Sequence, residues 1–335
     1  MEKKNTWKGK TVMNSPKRIL ILFSILNIIG FHPAQAQIDS AQTQVDSLQV
    51  AAEDSTEALV AISTLLSPFS EMRPNVIADS SHALSPFFEK LNALHEDVDS
   101  MPRPVVRVVH IGDSHVRSHE ITPVLHSYLA EMFGSASDEY IKGYKSKGIV
   151  PENGSPGVVC QCVGINGATS RTFLEKDYLK TISDLLPDLI IISLGTNESF
   201  NRYDPDIHYN MMESLFSALT DTCHHAVILY TTPPGSFKTV YTKARRRANR
   251  KIISVDENKK TEEVTATIIR FAADHHAACW DLYHIMGGDE YACKNWLNGN
   301  LFKVDKIHFL KDGYRIQGYL LYDALINGFN GYVSQ

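Results

Sequence analysis

Cysteine is scarce here, five residues in 335, and none of their spacings matches a zinc site. Positive charge is not in excess. Lys and Arg total 33 against 38 Asp and Glu, a formal net charge of −5, which argues against nucleic acid as the main partner. Beyond Phe31 no apolar run approaches the roughly 20 residues of a membrane-spanning helix. No internal repeat and no metal-binding motif is apparent, so neither a solenoid nor a metalloenzyme is suggested, and no cofactor is called for. The remainder, 43% hydrophobic and 21% charged, is ordinary for a soluble globular protein.

What is present begins with an export pattern. Lys17-Arg18 precedes the apolar stretch Ile19 to Phe31, and Ala34-x-Ala36 follows. A basic region, a short apolar core and a small-residue exit read as a secretory signal peptide over residues 1–36. No cysteine follows the core, which disfavours a lipid anchor, and Met13 is an alternative start. Removing residues 1–36 takes six basic residues and one acid, leaving 27 Lys and Arg against 37 Asp and Glu. The expectation is an exported bacterial protein, periplasmic or at the cell surface or secreted, with no stable membrane insertion after cleavage. An oxidising setting permits a disulfide, for which Cys223 and Cys279 are the candidate pair; the odd count leaves a cysteine free or intermolecular. One basic run, "KARRRANRK" from Lys243 to Lys251, reads as a solvated helical face or loop, or alternatively as a docking patch for an anionic polymer.

Residues 37–81 are rich in Gln, Asp, Ser, Thr and Ala and poor in aromatics. They read as a poorly ordered spacer, with a possible helix at Glu57 to Leu66. The folded domain is then expected over 82–335, starting with a helix near Ser85 to Leu94. Strand patterns recur at Val105 to Ile111, Val158 to Ile165, Asp188 to Leu194, Ala226 to Thr231 and Ala278 to Leu282. Each is short, branched and nearly continuously apolar, as strands buried on both faces are. Helical patterns alternate with them at Ile121 to Phe133, Ser170 to Leu186, Pro205 to Thr222, Asp256 to His275 and Lys311 to Phe329. Such alternation predicts an α/β fold with a mostly parallel five-stranded sheet covered on both sides.

Ligands of such sheets lie beyond the carboxyl ends of the strands, and polar residues collect there. The first strand ends in Gly112-Asp113-Ser114, the second in "GINGATS" with Asn166-Gly167, the third in Gly195-Thr196-Asn197. "VDKIHFLKDGY" places Asp305 and His308 before the last helix. Ester hydrolysis needs a serine hydroxyl, a base within reach and a carboxylate to hold the base's tautomer. Asp305 and His308, three apart, can supply that pair to Ser114. An oxyanion needs donors: the amides of Ser114 and Gly167 and the side-chain amide of Asn197 are candidates. Gly167 permits close backbone approach, and Ser114 at a helix N-terminus would gain from the local positive field. Taken singly each residue has a plainer role, Ser114 or Asp113 as a helix cap, Asn197 in a turn and His308 as an ordinary polar histidine. Asp113 is expected to hold the turn, His110 and His115 to pack, His119 to lie at the surface, and Glu198 to line the cleft or stand in solvent.

Read together, "GDSH", "GINGATS", "GTN" and "DKIH" resemble, in order, the four sequence blocks of the SGNH (GDSL-like) hydrolases. The resemblance implies a flavodoxin-like three-layer α/β/α sandwich. It also implies Ser114 as nucleophile, His308 as base, Asp305 as its partner, and an oxyanion hole from Ser114, Gly167 and Asn197. His115 departs from the family, where Leu or Ile is commoner. An α/β-hydrolase is disfavoured because Val116 stands where G-x-S-x-G needs its last glycine.

The phrasing looks most like envelope members that remove O-acetyl groups, so the expected partner is an acetylated cell-envelope or dietary glycan. The long segment Ser135 to Gly157, with Asn201, Arg202 and Tyr203, is a candidate sugar-contacting rim, or a merely solvated loop. A lipase or thioesterase is the alternative, although no apolar lid is evident; a non-catalytic glycan-binding protein on the same fold is another.

Overall fold

Each predicted apolar run becomes a strand, and the order in which they pair decides where a ligand can sit. The computed structural model describes residues 62–95, 104–137, 147–148, 150–200, 202–243 and 251–335. Its strands are β1 (Ile77–Ala78), β2 (Val105–Gly112), β3 (Lys147–Gly148), β4 (Gly157–Gly164), β5 (Leu189–Ser193), β6 (Val227–Thr231), β7 (Phe237–Lys243), β8 (Lys251–Glu257) and β9 (Ala278–Trp280). Seven form one sheet in the order β1-β9-β6-β5-β2-β4-β3, while β7 and β8 make a separate hairpin. The five expected strands, β2, β4, β5, β6 and β9, are mutually parallel; β1 and β3 are antiparallel two-residue additions at the two edges. Counted alone in chain order, the parallel strands run 2-1-3-4-5, the flavodoxin arrangement, whose order reverses between β2 and β5.

The helices are α1 (Ser85–Ala93), α2 (Ser114–Arg117), α3 (Ile121–Phe133), α4 (Lys176–Asp184), α5 (Thr196–Phe200), α6 (Pro205–Thr222), α7 (Lys260–Asp274), α8 (Leu282–Ile285), α9 (Gly288–Asn298) and α10 (Lys311–Tyr332). α10 packs with α1 and α3 on one face of the sheet, whereas α4, α6 and α7 pack together on the other. Along β2, Val109 and Ile111 join Ile190, Ile192, Leu215, Ile268 and Phe271 in the second-face core. Val106 and Val108, out of phase with them, are equally buried, as a strand covered on both sides requires. Burial of side chains this size stabilises by about 1.5–3 kcal/mol each. Local signals set the helix ends. Asp204 accepts from the amides of Asp206 and Ile207, and Pro205 opens α6, the arrangement that starts helices most economically.

Three features differ from the sequence reading. Ordered packing starts ahead of residue 82: Ser70 exchanges hydrogen bonds with Asn295, Asn75 accepts from the Trp280 indole and donates to the Leu320 carbonyl, and Ile77–Ala78 pairs with β9. Phe69 adds an edge-on contact with the buried Trp296 at 5.3 Å; these partners are all distant in sequence, so composition did not reveal them. Second, Lys243 and Lys251 are register partners at the end of the β7–β8 hairpin, so the two ends of the basic run lie on strands and not on the helical face that is one of its two readings; residues 244–250 fall outside the described residues. The β-branched and aromatic residues of "FKTVY" and "KIISV" account for the strands. Third, the five cysteines are buried and form no disulfide, so Cys223 and Cys279 are not bonded; Cys223 closes α6 while Cys279 lies inside β9.

Residues 1–36, read from sequence as a signal peptide, and the rest of the expected spacer to residue 61 lie outside the described residues. No helix among the described residues is long and apolar enough to cross a membrane.

Candidate active site

At the end of β2, where the strand order reverses, the chain turns sharply into α2. Asp113 caps this turn, its Oδ1 accepting the His115 amide at 2.8 Å. The turn lies almost on the backbone of β4: a Cβ on Gly164 would stand 2.2 Å from the Arg117 nitrogen, so only glycine lets α2 dock there. α2 is a single turn of four residues, which leaves little macrodipole to act on Ser114, contrary to the expectation from sequence.

The partner arrives from the other end of the chain. His308 Nε2 lies 2.8 Å from Ser114 Oγ, and His308 Nδ1 lies 2.8 Å from Asp305 Oδ2. The D-x-x-H spacing has a visible reason. Asp305 Oδ1 accepts the amides of Ile307 and His308, both at 2.9 Å, which folds the turn and leaves Oδ2 facing the imidazole. Stacked Phe302 and Phe309 close the base of this loop, and Phe309 is fully buried against Trp296. Burial tends to raise the Asp305 carboxyl, but the His308 ring and the two amides outweigh it and hold it below its ordinary value. An ionised Asp305 fixes the proton on Nδ1, so that Nε2 is free to accept from the serine hydroxyl.

Two further loops flank Ser114. Gly167, after β4, has φ +74°, and a Cβ there would meet nothing within 4 Å; the backbone is in a left-handed conformation beside open space. Neither the Ser114 nor the Gly167 amide has an acceptor among the described residues. Asn197, in α5 after β5, directs its Nδ2 at the Ala168 carbonyl (3.0 Å) and at Asp113 Oδ2 (3.4 Å). Asn197 thereby links the Asp113 turn to the loop that carries Gly167.

The other residues singled out from the sequence fall variously. His110 and His115 are packed, as expected: His110 bonds Thr122 (3.0 Å) and Ser193 (2.7 Å), and His115 lies against His308, Phe309 and Tyr314. His119 is buried beside Cys162 rather than at the surface. Arg202 is exposed, while Tyr203 turns inward, its hydroxyl donating to Thr267 (2.6 Å) and lying 3.0 Å from His208, so it is not a rim residue. Asn201 lies outside the described residues. Within the segment Ser135 to Gly157, Glu152 pairs with Arg107 at the far end of β2 from Ser114, whereas Lys147 and Gly148 line the outer edge of β4; residues 138–146 and 149 are not described. Glu198 does not stand in solvent: its side chain is only a tenth exposed and accepts the Gly195 and Ser170 amides, partners that its charge concealed.

Buried titratable groups surround the site, and their shifts oppose one another. Burial lowers His110 and His115 to about 3 and His208 to about 4. Burial raises Asp113 to about 6 and, with a contribution from Asp113, Glu198 to about 7. Between about pH 6 and 4.5 the unfolded chain therefore binds three histidine protons that the fold refuses, while the fold holds two carboxyl protons that the unfolded chain releases. The net difference is one proton, or about 1.4 kcal/mol of stability lost per pH unit on acidification. Below about pH 4 the unfolded carboxyls also protonate and the compensation ends. The folded histidines, His208 first, take up protons over the same range and offset this, so the urea midpoint is expected to fall from pH 6 to 5 and to go on falling at a comparable rate from pH 4 to 3; a midpoint that rises on acidification from pH 6 to 5 would contradict these assignments.

Comparison with known proteins gives a consistent picture. The model of the GDSL-like lipase/acylhydrolase family matches residues 144–316, just over half of the chain. That match takes in Gly167, Asn197, Asp305 and His308; Ser114 precedes it and is tied to the site by its contact with His308. No curated protein matches in sequence. Among solved structures, the fold is similar to that of a peptidoglycan O-acetylesterase, with 20% identity, TM-score 0.62, and 76% of this chain and 99% of that one covered. An acetyl xylan esterase (13% identity, TM-score 0.46, 66% and 100% covered) and a carbohydrate esterase family 3 protein of Talaromyces cellulolyticus (14%, 0.44, 67% and 98%) are also similar.

Proposed function

The chain belongs to the GDSL-like lipase/acylhydrolase family and is a carboxylic-ester hydrolase; from that premise we propose that it removes O-acetyl groups from a cell-envelope or dietary glycan through an acyl-Ser114 intermediate. The observation that carries this reading is the unbroken contact line from Ser114 Oγ through His308 to Asp305, at 2.8 Å per step. His308 Nε2 takes the hydroxyl proton as Oγ attacks the acetyl carbonyl, and Asp305 stabilises the imidazolium that results. The negative carbonyl oxygen is received by the amides of Ser114 and Gly167 and by Asn197. Collapse breaks the ester bond, with the His308 proton passing to the departing sugar oxygen. Water then repeats the sequence on the acyl-serine, releasing acetate and restoring the hydroxyl.

Two observations support a glycan ester. The similar fold of a peptidoglycan O-acetylesterase covers three quarters of this chain. The N-terminal pattern of residues 1–36 would deliver the enzyme outside the cytoplasm, where envelope and plant glycans are found. Arg202, exposed and near the end of α5, remains the proposed rim contact.

The test is acetate release, followed by mass spectrometry, from acetylated peptidoglycan and acetylated xylan, run beside p-nitrophenyl palmitate. Acetate release from a glycan with little turnover of the palmitate is expected. Preference for the long acyl chain would replace the glycan reading with that of a lipase.

A further inference from the structure

One buried acid has no part in the proton transfers above. Glu198 sits in α5, one residue beyond Asn197, with only a tenth of its side chain exposed. Its Oε2 accepts the Gly195 amide at 3.0 Å and its Oε1 accepts the Ser170 amide at 3.3 Å. These two amides belong to different loops. Gly195 begins the loop after β5, and Ser170 ends the loop after β4 that carries Gly167. β4 and β5 do not touch; β2 runs between them, and Ser114 stands on its end. A single carboxylate therefore straps together two loops that reach around the serine from opposite sides. Asn197 adds a parallel tie to the Ala168 carbonyl.

From this placement we infer that Glu198 is a positioning residue, which sets the distance between the Gly167 amide and the Asn197 side chain and so the width of the oxyanion hole. The inference rests on the hydrolase reading given above. Two hydrogen bonds from backbone amides to one carboxylate, charge-assisted where Glu198 is ionised, are among the stronger ties available to a loop, and a displacement near 1 Å at an oxyanion site is enough to cost about 100-fold in rate. The strap is itself held from behind. His208 Nε2 lies 3.9 Å from Glu198 Oε1, its other nitrogen lies 3.0 Å from the Tyr203 hydroxyl, and that hydroxyl reaches Thr267 on α7. The helices behind the sheet thereby fix where the carboxylate can sit. Tyr203, read from sequence as a sugar contact, acquires a different purpose in this arrangement.

Glu198→Gln retains the size of the side chain but turns an NH2 group toward one of the two amides. Competent sites are first counted by titration with a p-nitrophenyl phosphonate that labels Ser114, so that unfolded protein is not scored. Per titrated site, kcat for p-nitrophenyl acetate is expected to fall about 10-fold with KM changed less than about two-fold. In an Asn197→Ala background the same substitution is expected to cost less than about two-fold, because the donor that it positions is gone. Full kcat per titrated site in Glu198→Gln, or equal losses in the two backgrounds, would overturn the positioning role. Turnover that survives Ser114→Ala would instead reject the hydrolase site itself, so the two failures are distinguishable.

Discussion

Replacing Ser114 by alanine is expected to lower kcat/KM on p-nitrophenyl acetate by about 10³-fold or more. The hydroxyl is the one group that His308 Nε2 contacts on the catalytic side, so its loss leaves the imidazole with no proton to take. Activity above the uncatalysed rate would then come only from the amides that polarise the carbonyl. The fold should not suffer. The α2 turn is held by the Asp113 carboxylate on the His115 amide and by the Arg117 amide on the Asp113 carbonyl, neither of which involves the serine side chain. A stability change within about 0.5 kcal/mol is expected, as for substitutions that remove no cap and no buried contact. Unaltered turnover by the folded variant would sink the catalytic reading and leave a glycan-binding protein on a hydrolase fold.

How much of this was written plainly in the sequence depends on where each residue draws its role from. The five parallel strands were legible because each is an apolar run that the sheet buries on both faces. α6 was legible to the residue, since Asp204-Pro205 is a start signal that needs no tertiary partner. Ser114, Gly167, Asn197 and His308 were legible only jointly, as polar residues recurring at strand ends. The limits of local spelling are visible in a second D-x-x-H, Asp281-Leu-Tyr-His284. There His284 Nδ1 bonds Asp281 at 2.7 Å, as in the site, but Nε2 faces Glu262 at 3.2 Å. With a carboxylate on each nitrogen, and Asp281 the chief cause, its pKa is raised, and it joins α7 to α8 instead of serving a nucleophile. Nothing in four letters separates the two pairs; the neighbour across space does. Glu198 was missed for the related reason that an acid beside a cleft residue looks solvated until the two amides it accepts are located. Tyr203 was misplaced because its partner Thr267 is supplied by a distant helix.

Asn197→Ala is expected to cost about 2.7–4 kcal/mol of transition-state stabilisation, a fall of roughly 10²- to 10³-fold in kcat/KM. The expectation rests on a donor that is parked rather than idle. Nδ2 holds the Ala168 carbonyl at 3.0 Å and reaches Asp113 at a long 3.4 Å. The second contact is the weaker by distance. The proton aimed at Asp113 is thus the one that a developing oxyanion can claim, while the tie to Ala168 keeps the side chain in place. Alanine removes both functions, so they must be separated. If Asn197 acts only as a tie, the variant will lose stability but retain kcat per titrated site, and Asn197 leaves the oxyanion hole. If it donates to the transition state, kcat falls per titrated site even where the variant is fully folded. Asn197→Asp sharpens the distinction: it keeps the shape but cannot donate when ionised, and it places a second carboxylate beside Asp113. It should therefore be at least as slow as the alanine variant on p-nitrophenyl acetate, and recovery of wild-type turnover by the aspartate would show that shape, not donation, is what position 197 supplies.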